Sequence, residues 1–220
     1  MDALHARLAS FAVDAEERGI AVVTIGGLAM RAYLQAPDWR ATGDLDLVVG
    51  KAQYDQLRAL LEERGFTVYD AGPWKRAELQ TGEHKRIIDV FVDAVVDLAS
   101  FASYAIDARD AQRRGEPGGP SLLVPRIEHL IALKLLAHRD KDVLDVVLLL
   151  CDRAIAVDRA EFERALEIRD VEVPVRRGYL SVLAAIESGE MQRLWEARVP
   201  APFDQGAVDH AVARLHTLFR

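Results

Sequence analysis

Two acidic residues, Asp44 and Asp46, stand two positions apart at the start of an apolar run that ends at Val49. In a β-strand, residues i and i+2 point to the same side, so the two carboxylates project together, about 6 to 7 Å apart at the backbone. At that distance they repel each other by roughly 2 to 3 kcal/mol at an effective dielectric of about 20. The pair therefore needs a cation, a raised pKa or full solvation, and a hard divalent ion such as Mg²⁺ or Mn²⁺ meets that need.

A third acidic residue, Asp89, interrupts the apolar strand pattern from Ile87 to Val92. A buried carboxylate without a partner is costly, so Asp89 requires either a cation or a structural salt bridge. If both strands are central members of one sheet, Asp44, Asp46 and Asp89 converge, and three carboxylates suit two divalent ions about 3.5 to 4 Å apart. We predict these three residues as catalytic and metal-binding, with Asp89 accepting the proton of an attacking hydroxyl. For Asp44 and Asp46 the alternative is a solvated entry to the sheet.

The glycine pair Gly26 and Gly27 stands between a β-branched run over residues 20–25 and a helical stretch over residues 28–34. Glycines at such a turn let backbone N–H groups approach a phosphate at the positive end of the helix. A tight turn without a ligand is the alternative interpretation.

The elements around these residues alternate between strand and helix. Periodicity predicts a helix over the first eighteen residues, strands over 20–25, 45–49 and 66–69, a helix ending at Glu63, and a hairpin of strands 75–80 and 86–92. The Gly- and Pro-rich segment 115–120 predicts a loop and a domain boundary. Beyond it we predict helices over 126–137, 140–152, 158–168, 174–187, 190–197 and 204–219. The fold class is therefore α/β (α+β), with a mixed domain over 1–120 and a helical domain over 121–220.

Composition limits the class of protein. The chain has 220 residues, is 50% hydrophobic and carries a formal charge of −7, which argues against binding nucleic acid chiefly by phosphate neutralisation. The single Cys151 cannot form an internal disulfide. The N-terminus lacks the features of a signal peptide and no apolar run is long enough to span a bilayer, so we expect a cytoplasmic protein with no membrane partner.

The order of these motifs resembles the polymerase-β-like nucleotidyltransferase superfamily, whose signature is a Gly-Gly or Gly-Ser turn, an Asp-x-Asp strand and a lone Asp on a later strand. The pattern Arg40-x-Thr42-x-Asp44-x-Asp46 is similar to the branch with the AbiEii-type toxins of bacterial type IV toxin–antitoxin systems. The segment from Lys134 to Asp145 is similar to the Lys-Leu-x-Ala-x-Arg-x-x-Asp-x-x-Asp segment of that branch. The resemblance covers about residues 20 to 150 and implies a nucleotidyltransferase-fold mixed sheet with flanking helices.

The resemblance implies a metal-dependent enzyme that transfers a nucleoside monophosphate from an NTP, such as ATP, to a hydroxyl acceptor and releases pyrophosphate. The implied nucleotide-binding residues are Gly26, Gly27, Arg40, Thr42, Lys134, Asp142 and Asp145. Lys134 is expected to reach a cleft, because the other faces of its helix carry Leu130, Ile131, Leu133, Leu135 and Leu136. A surface lysine whose stem packs on the protein is the alternative. Asp142 and Asp145 could instead cap their helix or form a salt bridge with Arg139.

The acceptor is left open by the residues. The AbiEii-like pattern favours RNA, such as a tRNA 3′ end, with a cognate antitoxin protein as a further partner. An acidic chain favours a small molecule such as an aminoglycoside or lincosamide, and a protein hydroxyl is a further alternative. A catalytically inactive binding or antitoxin-like module is the non-enzymatic alternative, and the intact set Asp44, Asp46 and Asp89 counts against it.

Overall fold

The computed structural model describes residues 3–34, 44–82, 84–115 and 119–220. Arg40 and Thr42 lie outside these described residues. The chain forms two compact units. The first, here called the α/β unit, comprises Met1–Val96 and Ala105–Pro125; the second, the helical unit, comprises Asp97–Tyr104 and Arg126–Arg220. The sequence places the division after residue 120, whereas the helical unit starts at Arg126 and also takes in an earlier segment.

Within the described residues, the α/β unit contains three α-helices and a series of strands. The helices are α1 (Ala3–Glu17), α2 (Gly26–Leu34) and α3 (Lys51–Glu63). The strands are β1 (Val22–Ile25), β2 (Asp44–Val49), β3 (Thr67–Asp70), β4 (Lys75–Thr81), β5 (His84–Val92), β6 (Ala94–Val96), β7 (Ser103–Ala105), β8 (Ala111–Gly115) and β9 (Ser121–Pro125), where β7 falls at the limit between the two units. The mixed α/β fold class predicted from the sequence is confirmed.

The main sheet has the strand order β1-β2-β5-β4-β3. Strands β2 and β5 are parallel and central, and the other pairs are antiparallel. Because side chains alternate along each strand, one face of the sheet carries the fully buried Leu45, Leu47, Ala77, Ile88 and Val90. The opposite face carries the intervening residues of β2, β4 and β5, which are more open and more polar.

The hairpin β8–β9 is a difference from the sequence prediction, which gave only a loop at residues 115–120. Gly115 pairs with Ser121, so β8 and β9 form an antiparallel hairpin within the α/β unit. Strand β8 is rich in polar residues and has no alternating apolar pattern. In β9, by contrast, Leu122 and Val124 are buried and anchor the hairpin in the core.

The helical unit consists of α4 (Ile127–Ala137), α5 (Asp140–Cys151), α6 (Arg159–Arg169), α7 (Glu172–Glu187), α8 (Glu190–Arg198) and α9 (Gln205–Leu218). The helices predicted from periodicity are confirmed. Asp158 and Asp204 cap α6 and α9 by accepting hydrogen bonds from backbone N–H groups of the first turn, and His138 ends α4 in the left-handed conformation. Within the described ranges, no helix combines the length and the apolar character needed to cross a membrane.

A glycine allows two helices of this unit to pack closely. Gly178 of α7 faces α4, and a Cβ atom added at Gly178 would lie 1.8 Å from the backbone oxygen of Leu135. Backbone atoms of a packed helix cannot retreat as a flexible side chain can, so only glycine allows α7 to approach α4 this closely.

Replacing Gly178 with alanine is expected to destabilise the protein by about 1 to 3 kcal/mol, because the two helices must move apart. Gly206→Ala is the matched control, since Gly206 is also helical but its added Cβ would meet Asp204 at an ordinary 3.4 Å. Urea unfolding followed by circular dichroism measures both variants. Equal stability of the two variants would contradict the close helix contact.

Candidate active site

The more open face of the main sheet brings two of the predicted site carboxylates together. Asp46 of β2 and Asp89 of β5 are direct partners in the parallel register, so their side chains leave adjacent strands, about 4.8 Å apart, on the same side. Asp44 lies on that side as well and is paired with Ile87. Asp44 and Asp46 are half-buried, whereas Asp89 is buried.

The carboxylate of Asp46 lies against Gly26, at the start of a helix. Strand β1 ends at Ile25, the register partner of Asp46, and α2 begins at Gly26. Gly26 has a φ of +65°, and a Cβ atom there would lie 2.0 Å from Oδ2 of Asp46. Glycine is therefore required both for the backbone turn and for the carboxylate that touches it. The helix N-terminus carries partial positive charge, which stabilises the adjacent carboxylate. The predicted strand, glycine turn and helix are confirmed; phosphate binding by Gly26 and Gly27 stays a prediction.

Asp89 has a partner that was missed in the sequence. Nε of Arg76 donates to Oδ1 of Asp89 at 2.7 Å, and Nη2 donates to Oδ2 at 2.8 Å. The side chains are 32% and 10% exposed, respectively. The hydrogen bond to Asp89 raises the pKa of Arg76 although burial opposes this, so the guanidinium stays charged. The salt bridge that the sequence allowed as the alternative for Asp89 is therefore present.

The signal for Arg76 was contained in the predicted hairpin. Thr81 and His84 are the paired residues next to the turn. Five positions further from the turn on each strand, Arg76 of β4 pairs with Asp89 of β5. An arginine directly across an antiparallel pair from a buried aspartate is a favourable cross-strand pair. The register of the turn could thus have identified the ion pair.

The carboxylates of this face meet only part of what a divalent cation needs. Within the part of the chain that the structure describes, no group of three or more His, Cys, Asp or Glu side chains is arranged to hold a metal ion. Both oxygens of Asp89 are bonded to Arg76, which turns that carboxylate toward β4. Asp44 and Asp46 supply hard oxygen ligands on one side of one strand, as Mg²⁺ and Mn²⁺ prefer. The metal role of Asp44, Asp46 and Asp89 stays a prediction, and Asp89 would join such a site by releasing Arg76.

The helical unit brings together the other predicted group. Nζ of Lys134 donates to Oδ1 of Asp142 at 3.0 Å and to Oδ2 of Asp145 at 2.6 Å. Arg139 donates through Nε to the second oxygen of Asp142 at 2.6 Å. The Lys134 side chain is 6% exposed, and the two carboxylates are 1% and 0% exposed, so a cation that was expected to reach a cleft is enclosed by its own partners. The salt bridge between Arg139 and Asp142, which was an alternative, is present.

The charges in this cluster stabilise one another. Burial lowers the pKa of Lys134, but the two carboxylates outweigh it and the net shift is upward. Burial likewise raises the pKa of Asp142, but Lys134 and Arg139 outweigh it and the net shift is downward. Lys134 and Asp142 therefore keep their charges over a wide pH range. Nucleotide binding by Lys134, Asp142 and Asp145 stays a prediction.

A family model described as "Uncharacterised nucleotidyltransferase" matches residues 3–183, which is most of the chain. The chain belongs to this nucleotidyltransferase family. The match includes β2, β5 and Arg76 in the α/β unit as well as Lys134, Asp142 and Asp145 in the helical unit. Membership in a family of enzymes agrees with the intact carboxylates of the site.

Solved structures show the same fold. The nucleotidyltransferase toxin MenT4 of Mycobacterium tuberculosis is 14% identical, with 98% of this chain and 82% of the toxin covered at a TM-score of 0.52. The protein JHP933 of Helicobacter pylori is also 14% identical, with 97% and 90% covered at a TM-score of 0.50. A comparison with curated proteins finds no match. The resemblance to nucleotidyltransferases is confirmed, and the two solved structures share the fold.

Replacing Gly26 with alanine is expected to displace the carboxylate of Asp46 as well as strain the backbone. Gly19→Ala is the matched control, because Gly19 has a φ of +79° and open space where a Cβ would lie. Each variant should lose about 1 to 3 kcal/mol for the left-handed backbone, and Gly26→Ala should lose more because of the clash. Urea unfolding of the two variants measures the difference, and an equal loss would refute the contact with Asp46.

Replacing Lys134 with methionine leaves Asp142 and Asp145 buried without their ammonium partner, so a loss of about 3 to 5 kcal/mol is expected at pH 7. Arg139→Gln should cost less, because Arg139 is 63% exposed. Urea unfolding at pH 7 measures both variants. A Lys134→Met loss no larger than that of Arg139→Gln would contradict a buried cluster.

The same cluster predicts a pH dependence. Since the pKa of Asp142 is lowered on folding, its stabilising effect is complete above the unfolded value of about 3.9 and is lost as the pH falls through the folded value. Since the pKa of Lys134 is raised, its effect is complete below about 10.4 and is lost as the pH rises through the folded value. The stability difference between wild type and Lys134→Met, measured by urea unfolding at a series of pH values, should therefore be largest between these limits and shrink outside them.

Proposed function

We propose that this protein is a metal-dependent nucleotidyltransferase that moves a nucleoside monophosphate from an NTP to a hydroxyl acceptor and releases pyrophosphate. The observation that carries the proposal is the register of β2 and β5, which sets Asp46 beside Asp89 on the more open face of the sheet. Asp44 adds a second carboxylate on the same side of β2. The carboxylate of Asp46 lies against Gly26, the first residue of α2. The family of the chain supplies the class of reaction.

The side chains divide the work of such a transfer among them. Asp44 and Asp46 would hold Mg²⁺ or Mn²⁺, which supplies positive charge to the phosphate undergoing substitution. Asp89, the register partner of Asp46, would join the cation site and accept the proton of the attacking hydroxyl. Backbone N–H groups at Gly26 and Gly27 would bind phosphate oxygens at the positive end of α2.

The remaining nucleotide-binding residues belong to the proposal through the family resemblance. Lys134, Asp142 and Asp145 form one fixed charge cluster of the helical unit and would contribute to nucleotide binding from there. Arg40 and Thr42 precede Asp44 in the motif. A cytoplasmic location, where nucleoside triphosphates and tRNA are found, belongs to the same proposal.

For the acceptor we propose RNA, with a tRNA 3′ end as the first candidate and a cognate antitoxin as a protein partner. The AbiEii-like motifs and the fold shared with the MenT4 toxin support this choice. Three basic side chains of the β4–β5 hairpin are paired with acids: Lys75 with Asp70, Arg76 with Asp89 and Lys85 with Glu78. These three side chains therefore offer little free positive charge, and we expect the RNA to be held by its 3′ end more than along its phosphate backbone.

The activity is tested by incubating the protein with each α-labelled NTP, Mg²⁺ or Mn²⁺, and either total tRNA or a panel of aminoglycosides and lincosamides. Label should pass to tRNA. Asp46→Asn should lower the rate by about 100-fold or more, because a direct metal ligand matters at least as much as the groups that orient it. Asp55→Asn, on the exposed side of α3, is the control that removes a carboxylate away from the site.

The outcomes separate the parts of the proposal. Transfer to a small molecule alone would replace the RNA acceptor and keep the chemistry. Transfer that survives Asp46→Asn would overturn the site assignment. No transfer to any acceptor, with no stabilisation by NTP and Mn²⁺ in thermal unfolding, would favour an inactive binding module.

A further inference from the structure

Among the described residues of the proposed site, Arg76 makes contacts that oppose the proposed chemistry. Its guanidinium takes both oxygens of Asp89 in a bidentate ion pair, which is stronger and more directional than a single hydrogen bond. The pairing turns the Asp89 carboxylate toward β4, while Asp46 lies on the other side of it, on β2. A positive charge beside Asp89 also repels a divalent cation. Arg76 therefore reduces the capacity of Asp89 to bind a metal ion.

We infer that Arg76 is a positioning residue that withholds Asp89 from the metal site and releases it when the triphosphate of the substrate draws the guanidinium away. This inference rests on the proposed function, because it assumes that Asp46 and Asp89 share a cation during the reaction. It adds a residue that the family motifs do not contain and a reason for the geometry of the carboxylates.

The position of Arg76 suits such an exchange of partners. Its side chain is 32% exposed and arises from β4, next to β5, on the face that carries Asp44 and Asp46. A planar guanidinium binds the oxygens of a phosphate in the same bidentate manner as those of a carboxylate. Because Asp89 and the triphosphate compete for one guanidinium, binding of triphosphate would free Asp89 for the cation. Each ligand should then strengthen the binding of the other by the same factor.

The first test measures Mn²⁺ binding without nucleotide, from the electron paramagnetic resonance signal of free Mn²⁺. Arg76→Gln should bind Mn²⁺ about tenfold more tightly than wild type, the scale of one charge-assisted hydrogen bond. Lys85→Gln removes a positive charge from the same hairpin, where Lys85 pairs with Glu78, and should change the affinity far less. In an Asp89→Asn background, Arg76→Gln should have no further effect on Mn²⁺ binding.

The reciprocal test measures binding of inorganic triphosphate in EDTA by isothermal titration calorimetry. Asp89→Asn frees Arg76 and should strengthen triphosphate binding more than Asp44→Asn does, although both remove one negative charge. Arg76→Gln should weaken it. Circular dichroism confirms that each variant is folded, and Arg76→Lys, which keeps the charge but loses the bidentate geometry, serves if Arg76→Gln does not fold. The Arg76→Lys variant should bind Mn²⁺ more tightly than wild type.

The results distinguish this inference from the proposed function. If wild type binds Mn²⁺, Asp46→Asn abolishes that binding and Arg76→Gln leaves it unchanged or weaker, the inference is wrong and the metal site stands. If Asp89→Asn and Asp44→Asn strengthen triphosphate binding equally, the exchange of partners is wrong as well. If neither wild type nor any variant binds Mn²⁺ more tightly than Asp46→Asn does, the metal site of the proposed function fails and the inference with it.

Discussion

The parallel pairing of β2 with β5 places two carboxylates, Asp46 and Asp89, side by side in one row of the sheet. Like charges on adjacent strands repel each other, so the fold must supply positive charge on either side of them. On the β1 side, Gly26 brings the start of α2 against Asp46. On the β4 side, Arg76 binds Asp89 through both oxygens. The glycine turn, the order of the strands and the arginine of the hairpin thus all help to place positive charge beside the two carboxylates.

The helical unit meets a similar requirement in a different way. Around Lys134, two cations and two carboxylates are paired with one another, and Lys134 and both carboxylates are almost completely buried. Breaking such a cluster is costly, so it acts as a fixed part of the unit. The row at Asp46 and Asp89 lies on the more open face of the sheet, as the proposed exchange of partners requires. The degree of burial therefore distinguishes the enclosed cluster around Lys134 from the more open row at Asp46 and Asp89.

Much of the fold could be predicted from the sequence, since the apolar periodicity of the helices and the alternation in β2 and β5 reflect which faces are buried. Strand β8 could not be predicted, because it consists of polar residues such as Gln112 and Arg113 that pair with β9. Backbone pairing between strands does not produce a hydropathy pattern in the sequence. The spacing of Asp44, Asp46 and Asp89 pointed to one site. Their orientation could not be predicted from spacing alone, because it depends on the neighbour across the hairpin, Arg76.

The two contacts of Asp89 also differ in how far apart their partners lie in the chain. Arg76 is 13 residues away within one hairpin, whereas Asp46 is 43 residues away, 89 minus 46. Closing the longer loop costs about 1 kcal/mol more in chain entropy, and local hairpins form faster than distant parallel pairs. We expect the hairpin to form before β2 docks beside β5. During folding, Arg76 would then already be paired with Asp89 when β2 brings Asp46 beside it. In this order, the two carboxylates never meet without a neighbouring positive charge.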